Sequence, residues 1–201
     1  MNSTKNINNL VIFDLDGVLI DSRQNMKKSW NHVKKSLGLT QNFTDYYKYI
    51  GLPFEEILLK IGIKDRIFIK KIKKKYEKIS VDNINKVKFY PGVKSTLKYL
   101  IKKNYKLSII TSKNIERTNL ILKDYLYYFD SINTPNLKIK SKPHPDQILF
   151  AIKKAKSRKR NTVFIGDSIF DKKAAKSAGV KFVYASYGYG NLKNKYYLKK
   201  F

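Results

Sequence analysis

Asp14 and Asp16 stand one residue apart at the end of an apolar run, and Gly17 follows them directly. The run, Leu10-Val11-Ile12-Phe13, suits a strand buried on both faces, as in a parallel sheet. Ligands of open parallel sheets collect beyond the carboxyl ends of the strands, so two carboxylates leaving this strand reach one reaction centre. Gly17 lets the chain turn sharply behind them. These letters alone leave other uses open, because aspartates also cap turns and open calcium loops. Three more segments narrow the chemistry. Thr162-Val163-Phe164-Ile165-Gly166-Asp167-Ser168 ends a second apolar run in an aspartate, with Asp171 one turn into the next helix. Asp14 and Asp167 at parallel strand ends offer a seat for a hard cation such as Mg²⁺. Leu107-Ser108-Ile109-Ile110 leads into Thr111-Ser112-Lys113-Asn114, where a hydroxyl and free backbone N–H groups ahead of a helix can hold phosphate oxygens. Ser141-Lys142-Pro143-His144-Pro145-Asp146 presents one lysine in a stiff, proline-bounded loop.

These side chains need a scaffold that brings strand ends together. Apolar runs at 10–14, 107–111, 162–167 and 181–186 read as buried strands. Helical patterns separate them. One opens at Pro91 with Val93, Leu97, Leu100 and Ile101 on one side. Another opens at Pro145, and a third spans 169–178 and stops at Gly179. Strand–helix alternation predicts a doubly wound α/β fold with a parallel sheet. Residues from about 22 to 88 break the rhythm and read as helices only, over 23–37, 53–61 and 64–79. The expected organisation is an α/β core of residues 1–20 and 89–201, with 21–88 inserted as a small helical cap domain. Asp21 and Ser22 are expected at the first hinge.

Composition excludes several alternatives. At 201 residues and 42% hydrophobic content the chain has the material for one packed domain with an insertion. Without cysteine it has no disulfide frame, no thiolate metal site and no thiol nucleophile. No apolar run approaches the length of a membrane span, and the first residues lack the apolar stretch of a secretory signal, so a cytoplasmic enzyme is expected. The net charge of +28 invites a nucleic-acid role. Only five of the 43 basic residues are arginine, however, and the lysines spread over the whole length. A dedicated phosphate-binding surface concentrates charge and favours the bidentate arginine fork. Codon bias explains the lysines better, and no specific nucleic-acid partner is expected.

Taken together, the motifs resemble the haloacid dehalogenase-like hydrolases, in the subgroup with a helical cap, and most closely its phosphoglycolate-phosphatase-like members. The matching stretches are Phe13 to Ser22, Phe89-Tyr90-Pro91-Gly92-Val93, Leu107 to Asn114, Tyr128 to Ile132, Lys142 to Ile152 and Val163 to Gly190. The resemblance implies a Rossmann-like core and Mg²⁺-dependent hydrolysis of a small phosphate ester. Asp14 would be the nucleophile, forming an aspartyl-phosphate, and Asp16 the general acid and base. Thr111, Ser112 and Lys142 would hold the phosphate. Mg²⁺ would sit on Asp14, the backbone carbonyl of Asp16 and Asp167, with Asp171 as ligand or close support. A sugar phosphomutase of the β-phosphoglucomutase type shares the same acids and is the alternative. A dehalogenase needs no Asp16, and a basic nucleic-acid binder leaves the acidic cluster unexplained. His144, His32 and the loop from Tyr187 to Gly190 receive no role.

Overall fold

The computed structural model describes residues 8–136 and 139–201. Strand β1 (Asn8–Asp14) is followed by the short β2 (Ile20–Asp21). Four helices come next: α1 (Arg23–Leu37), α2 (Phe43–Tyr47), α3 (Phe54–Lys60) and α4 (Arg66–Asp82). After them come β3 (Lys88–Phe89), α5 (Val93–Lys102), β4 (Lys106–Ile110), α6 (Ile115–Leu122) and β5 (Ser131–Asn133). The chain then runs through α7 (Asp146–Lys154), β6 (Ser157–Gly166), α8 (Ile169–Ala178), β7 (Lys181–Ala185) and β8 (Tyr197–Leu198).

Six strands form one parallel sheet in the order β5-β4-β1-β6-β7-β8. The chain builds leftward from β1 through β4 and β5, then crosses to β6 on the other side. That reversal opens a crevice at the carboxyl end of β1, where ligands of such sheets bind. Alternate residues of β1 serve two cores. Leu10 and Ile12 pack with Ile148, Phe164 and Ala174 under α7 and α8. Val11 and Phe13 pack with Val93, Leu97, Leu107 and Ile109 on the α5 side. The sheet is therefore covered on both faces, which is why Leu10 to Phe13 of its central strand are all apolar.

β2 and β3 pair antiparallel, Ile20 opposite Phe89 and Asp21 opposite Lys88, so the helical segment leaves and returns through one two-stranded ladder. Trp30, Val33, Ile57, Leu58, Ile72 and Tyr76 form a third apolar cluster within that segment. In α1, Met26, Trp30 and Val33 recur at helical spacing, and Gly38 at φ 65° closes the helix in the left-handed conformation. In α4, Asp65 accepts the N–H of Phe68 at 2.6 Å, and Ile69, Ile72, Tyr76 and Ile79 turn inward. Among the described residues, no helix is long and apolar enough to cross a membrane.

Candidate active site

The carboxylate of Asp14 is buried at the carboxyl edge of the sheet, at the end of its central strand. Its Oδ1 accepts the Leu15 N–H at 2.7 Å and lies 2.8 Å from Lys142 Nζ. Lys142 Nζ also lies 2.7 Å from Asp171 Oδ1, so one buried ammonium bridges two carboxylates. Burial favours the neutral form of Lys142, but Asp14 and Asp171 outweigh it and hold its pKa above the ordinary lysine range.

Asp167 directly follows β6 beside them. Asp14, Asp167 and Asp171 each offer a carboxylate oxygen, and these atoms lie within 4.8 Å of one another. A single lysine against three buried carboxylates leaves an excess of negative charge. Burial pushes the Asp14 carboxyl up, Lys142 pulls it down, and Asp171 and Asp16 push it up again, leaving its pKa at about 7. Burial, with the charges of Asp171 and Asp14, raises Asp167 well above its ordinary value. The chemistry of this donor set fits a hard divalent cation, which prefers oxygen ligands and would relieve the repulsion.

The surroundings leave no slack. A Cβ at Gly17 would fall 2.1 Å from Asp167 Oδ2, and one at Gly188 would fall 2.4 Å from Asp167 Cβ. Gly17 also has φ 84°, a conformation side chains avoid. Asp167 Oδ2 accepts the N–H of Tyr189 at 2.6 Å, so the loop after β7 helps to orient this acid. Asp171 Oδ2 accepts the Ser168 N–H at 2.9 Å and the Ser168 hydroxyl at 2.6 Å, closing a capping box on α8. Helix capping thus aims the other oxygen of Asp171 at Lys142.

Asp16 points away from this cluster. Its Oδ1 accepts the Ser22 hydroxyl and lies 3.3 Å from Lys113 Nζ. The turn that aims it is built on Leu15 O, which accepts N–H groups from Leu19 at 3.0 Å and Ile20 at 3.1 Å. Thr111, buried after β4, accepts the Lys113 N–H on Oγ1 at 3.1 Å and keeps its own hydroxyl proton. The hydroxyl proton of Ser112 goes to Gly51 O at 2.7 Å, in the helical segment.

Asp14, Asp16, Thr111, Ser112 and Lys142 therefore line one cavity, which holds about 520 Å³ of empty space including its mouth. Asp167 and Asp171 border it from behind Asp14 and Lys142. The helical segment roofs it with Tyr46, Leu52 and Tyr76 among others. His144 and His32 add nothing to the lining of this cavity.

Several site residues were not foreseen. The side chain of Lys113 is buried; burial pushes its ammonium down, Asp16 pushes it up, and Arg117 down again, to a pKa of about 8. Arg117, one turn into α6, donates from Nη2 to Ser80 Oγ at 2.6 Å and lies over the Tyr76 ring at 5.6 Å. The Tyr189 hydroxyl accepts the Ser22 N–H at 2.6 Å. The available signal was the spacing of Lys113 and Arg117 across a helix start, beside the segment expected to bind phosphate.

Known proteins resemble this chain in sequence and fold. The family model for haloacid dehalogenase-like hydrolases matches residues 11–185. A phosphoglycolate phosphatase of Aquifex aeolicus is 31% identical over 92% of this chain and 88% of its own length. The pyrophosphatase PpaX of Oceanobacillus iheyensis is 27% identical over 95% of this chain and 88% of its own. A solved structure from Haemophilus somnus, named as a predicted phosphoglycolate phosphatase, superposes with a TM-score of 0.85 at 25% identity. It covers 96% of this chain and 94% of that one. The motifs, the sheet order and these likenesses agree: the chain belongs to the haloacid dehalogenase-like hydrolases and is an enzyme of their phosphatase kind.

Proposed function

We propose that this chain hydrolyses a small phosphate monoester with Mg²⁺, by way of an aspartyl-phosphate on Asp14. The observation that carries this reading is the buried Asp14, tied to Lys142 at 2.8 Å and backed by two more carboxylates at the carboxyl edge of the sheet. Asp14, the backbone carbonyl of Asp16 and Asp167 would hold the cation, with Asp171 beside them. Once bound, Mg²⁺ would offset the charge of the acids and polarise a phosphoryl oxygen.

The rest falls to side chains. Oδ1 of Asp14 is engaged by Leu15 and Lys142, which leaves Oδ2 to attack phosphorus. As that bond forms, the bond from phosphorus to the leaving oxygen breaks, and Asp16 gives this oxygen its proton. Asp16 then takes a proton from water, whose oxygen attacks phosphorus and frees phosphate and Asp14. Thr111 donates its hydroxyl to a phosphoryl oxygen, and Ser112 contributes its backbone N–H. Lys142 screens the approach of a carboxylate to a phosphate anion. Residues 21–88 act as a cap over a core of 1–20 and 89–201, excluding water from the closed site. The names of the relatives put phosphoglycolate and pyrophosphate first among compounds to test.

A panel of phosphate esters, read as free phosphate with Mg²⁺ and again with a chelator, tests the proposal. Metal-dependent release, and an acyl-phosphate mapped to Asp14 in trapped enzyme, are expected. A label on Asp16, or no release from any ester, refutes it. Sugar-phosphate interconversion with little phosphate released would make the chain a mutase.

A further inference from the structure

The basic residues are spread over the chain with one exception. Lys153-Lys154-Ala155-Lys156-Ser157-Arg158-Lys159-Arg160 holds six cations and no acid, and includes two of the five arginines. All six cations are exposed. The fold holds this segment outward. Asn8 pairs with Ser157 and Leu10 with Thr162, so Asn9 alone faces residues 158–161, and Arg158, Lys159 and Arg160 ride on a bulge. Its feet are pinned. Asn8 Nδ2 donates to Ala155 O at 2.8 Å, Ser157 Oγ to Asn8 O at 2.6 Å, and Thr162 Oγ1 to Arg158 O at 2.8 Å. Like charges held this close repel, and among the described residues none of the six has an ion-pair partner. On the β4 side of Asn8 lies a hollow with about 810 Å³ of empty space including its mouth, lined by Ile101, Tyr105, Lys106, Tyr127 and Asp130 among others. Tyr127 is 70% exposed. Asp130 is paired with Lys106 at 2.8 Å, so the two charges offset each other. Bulge and hollow both lie at the amino edge of the sheet, roughly 20 Å along β1 from Asp14.

We infer that this edge binds single-stranded nucleic acid without regard to base sequence. Residues 153–160 take successive phosphates, and a base enters the hollow against Tyr127. The arginine fork grips phosphate oxygens in pairs, and an aromatic face accepts any base, which gives affinity without sequence readout. A phosphate chain would also relieve the repulsion among the six cations. A duplex fits less well, because its bases are stacked away from the hollow. An anionic membrane fits less well too, since its aromatic anchors must project into the lipid surface, whereas Tyr105 and Tyr127 line a concavity. The surface lies apart from Asp14 and needs nothing from the phosphatase reading.

Fluorescence anisotropy on the full chain tests this, with a labelled RNA strand of about 12 nucleotides and mixed sequence, the same strand as DNA, and the matching DNA duplex. At least one single strand should bind ~10-fold or more tighter than the duplex. The combined change Arg158→Gln, Lys159→Gln and Arg160→Gln should weaken that binding on the order of 30-fold. Lys70→Gln, Lys74→Gln and Lys78→Gln together remove the same charge from the exposed face of α4, and should cost less than ~3-fold. Tyr127→Ala should cost ~5-fold or more for the single strand and leave the duplex unchanged. A strand carrying 4-thiouridine, irradiated on the wild-type protein, should crosslink within the hollow, a readout that needs no variant. Equal losses from the two triple changes, a duplex bound as tightly as the single strands, or crosslinks confined to the helical segment overturn the inference. So does binding to phosphatidylserine vesicles that the bulge change abolishes while RNA binding persists, which would make this edge a membrane contact. Neither triple change should alter phosphate release, so failure of the phosphatase reading leaves this test intact.

Discussion

Replacing Asp14 by Asn should stabilise the metal-free protein, by an amount that grows with pH. Asn keeps the shape of the neutral carboxyl and removes the charge. Asp14 titrates near 3.8 in its ordinary state and at about 7 in the fold, chiefly through burial. A carboxyl whose pKa is raised on folding destabilises the native state above its unfolded pKa. The penalty is absent below pH 3.8, grows as pH rises, and becomes constant once pH exceeds about 7. Each pKa unit is worth about 1.4 kcal/mol, so the full penalty is about 4 kcal/mol at pH 8 and about 2 kcal/mol at pH 5.5. For a chain of this size, about 4 kcal/mol corresponds to roughly 10 °C in Tm. Thermal unfolding of wild type and Asp14→Asn, followed by circular dichroism with a chelator present, reads the difference directly. The variant should melt higher at both pH values, with the larger gap at pH 8. Added Mg²⁺ should narrow the gap by stabilising the wild type. A variant no more stable than wild type at pH 8, or a gap independent of pH, would refute the account of the acidic cluster.

Three further outcomes are expected. Asp16→Asn should lower kcat for an alkyl phosphate by ~10²–10⁴-fold, and by much less for an aryl phosphate, whose leaving group needs no proton. Gly188→Ala would place a Cβ 2.4 Å from Asp167 Cβ and 2.5 Å from Gly17 O. Apparent Mg²⁺ affinity, from a titration of activity, should fall on the order of 10-fold or more. Binding to duplex DNA, measured by fluorescence anisotropy, should be weak, indifferent to sequence and steeply weakened by salt, as expected of dispersed lysines. Tight binding to a defined site would mean that the charge of +28 has a dedicated role.

Strand and helix positions were legible where one residue pattern served one environment. Helices over 23–37 and 169–178 are found at those bounds, because an inward stripe and a glycine stop both mark them. Strand β6 starts at Ser157, earlier than the apolar run from 162, because Ser157 pairs with Asn8 through an irregular register that polar residues do not signal. The short β5 and β8, of three and two residues, carry too few side chains to show a period. The acids of the site were readable because strand ends concentrate them in sequence as well as in space. Lys113 and Arg117 were not, since 43 basic residues make any one of them look like solvated surface. What distinguishes them is burial under the helical segment, a tertiary property.

The same contrast divides the two ends of the cavity. Asp14, Asp167 and Asp171 are aimed by the sheet and by the cap of α8, so the α/β layer alone determines their geometry. Arg117 is aimed from both sides: α6 carries it, and Ser80 and Tyr76 of α4 hold its guanidinium. Ser80 is in turn fixed by Asn25 of α1, which accepts its hydroxyl at 2.7 Å and donates back to Ser80 O at 2.8 Å. This polar chain is buried, so each member depends on the others for its hydrogen bonds. A substitution at Asn25 or Ser80 therefore bears on Arg117 and on none of the hydrogen bonds of the acidic cluster. The two ends of the cavity are therefore supported by different layers of the fold, Asp14 by the sheet and Arg117 by α6 together with α4.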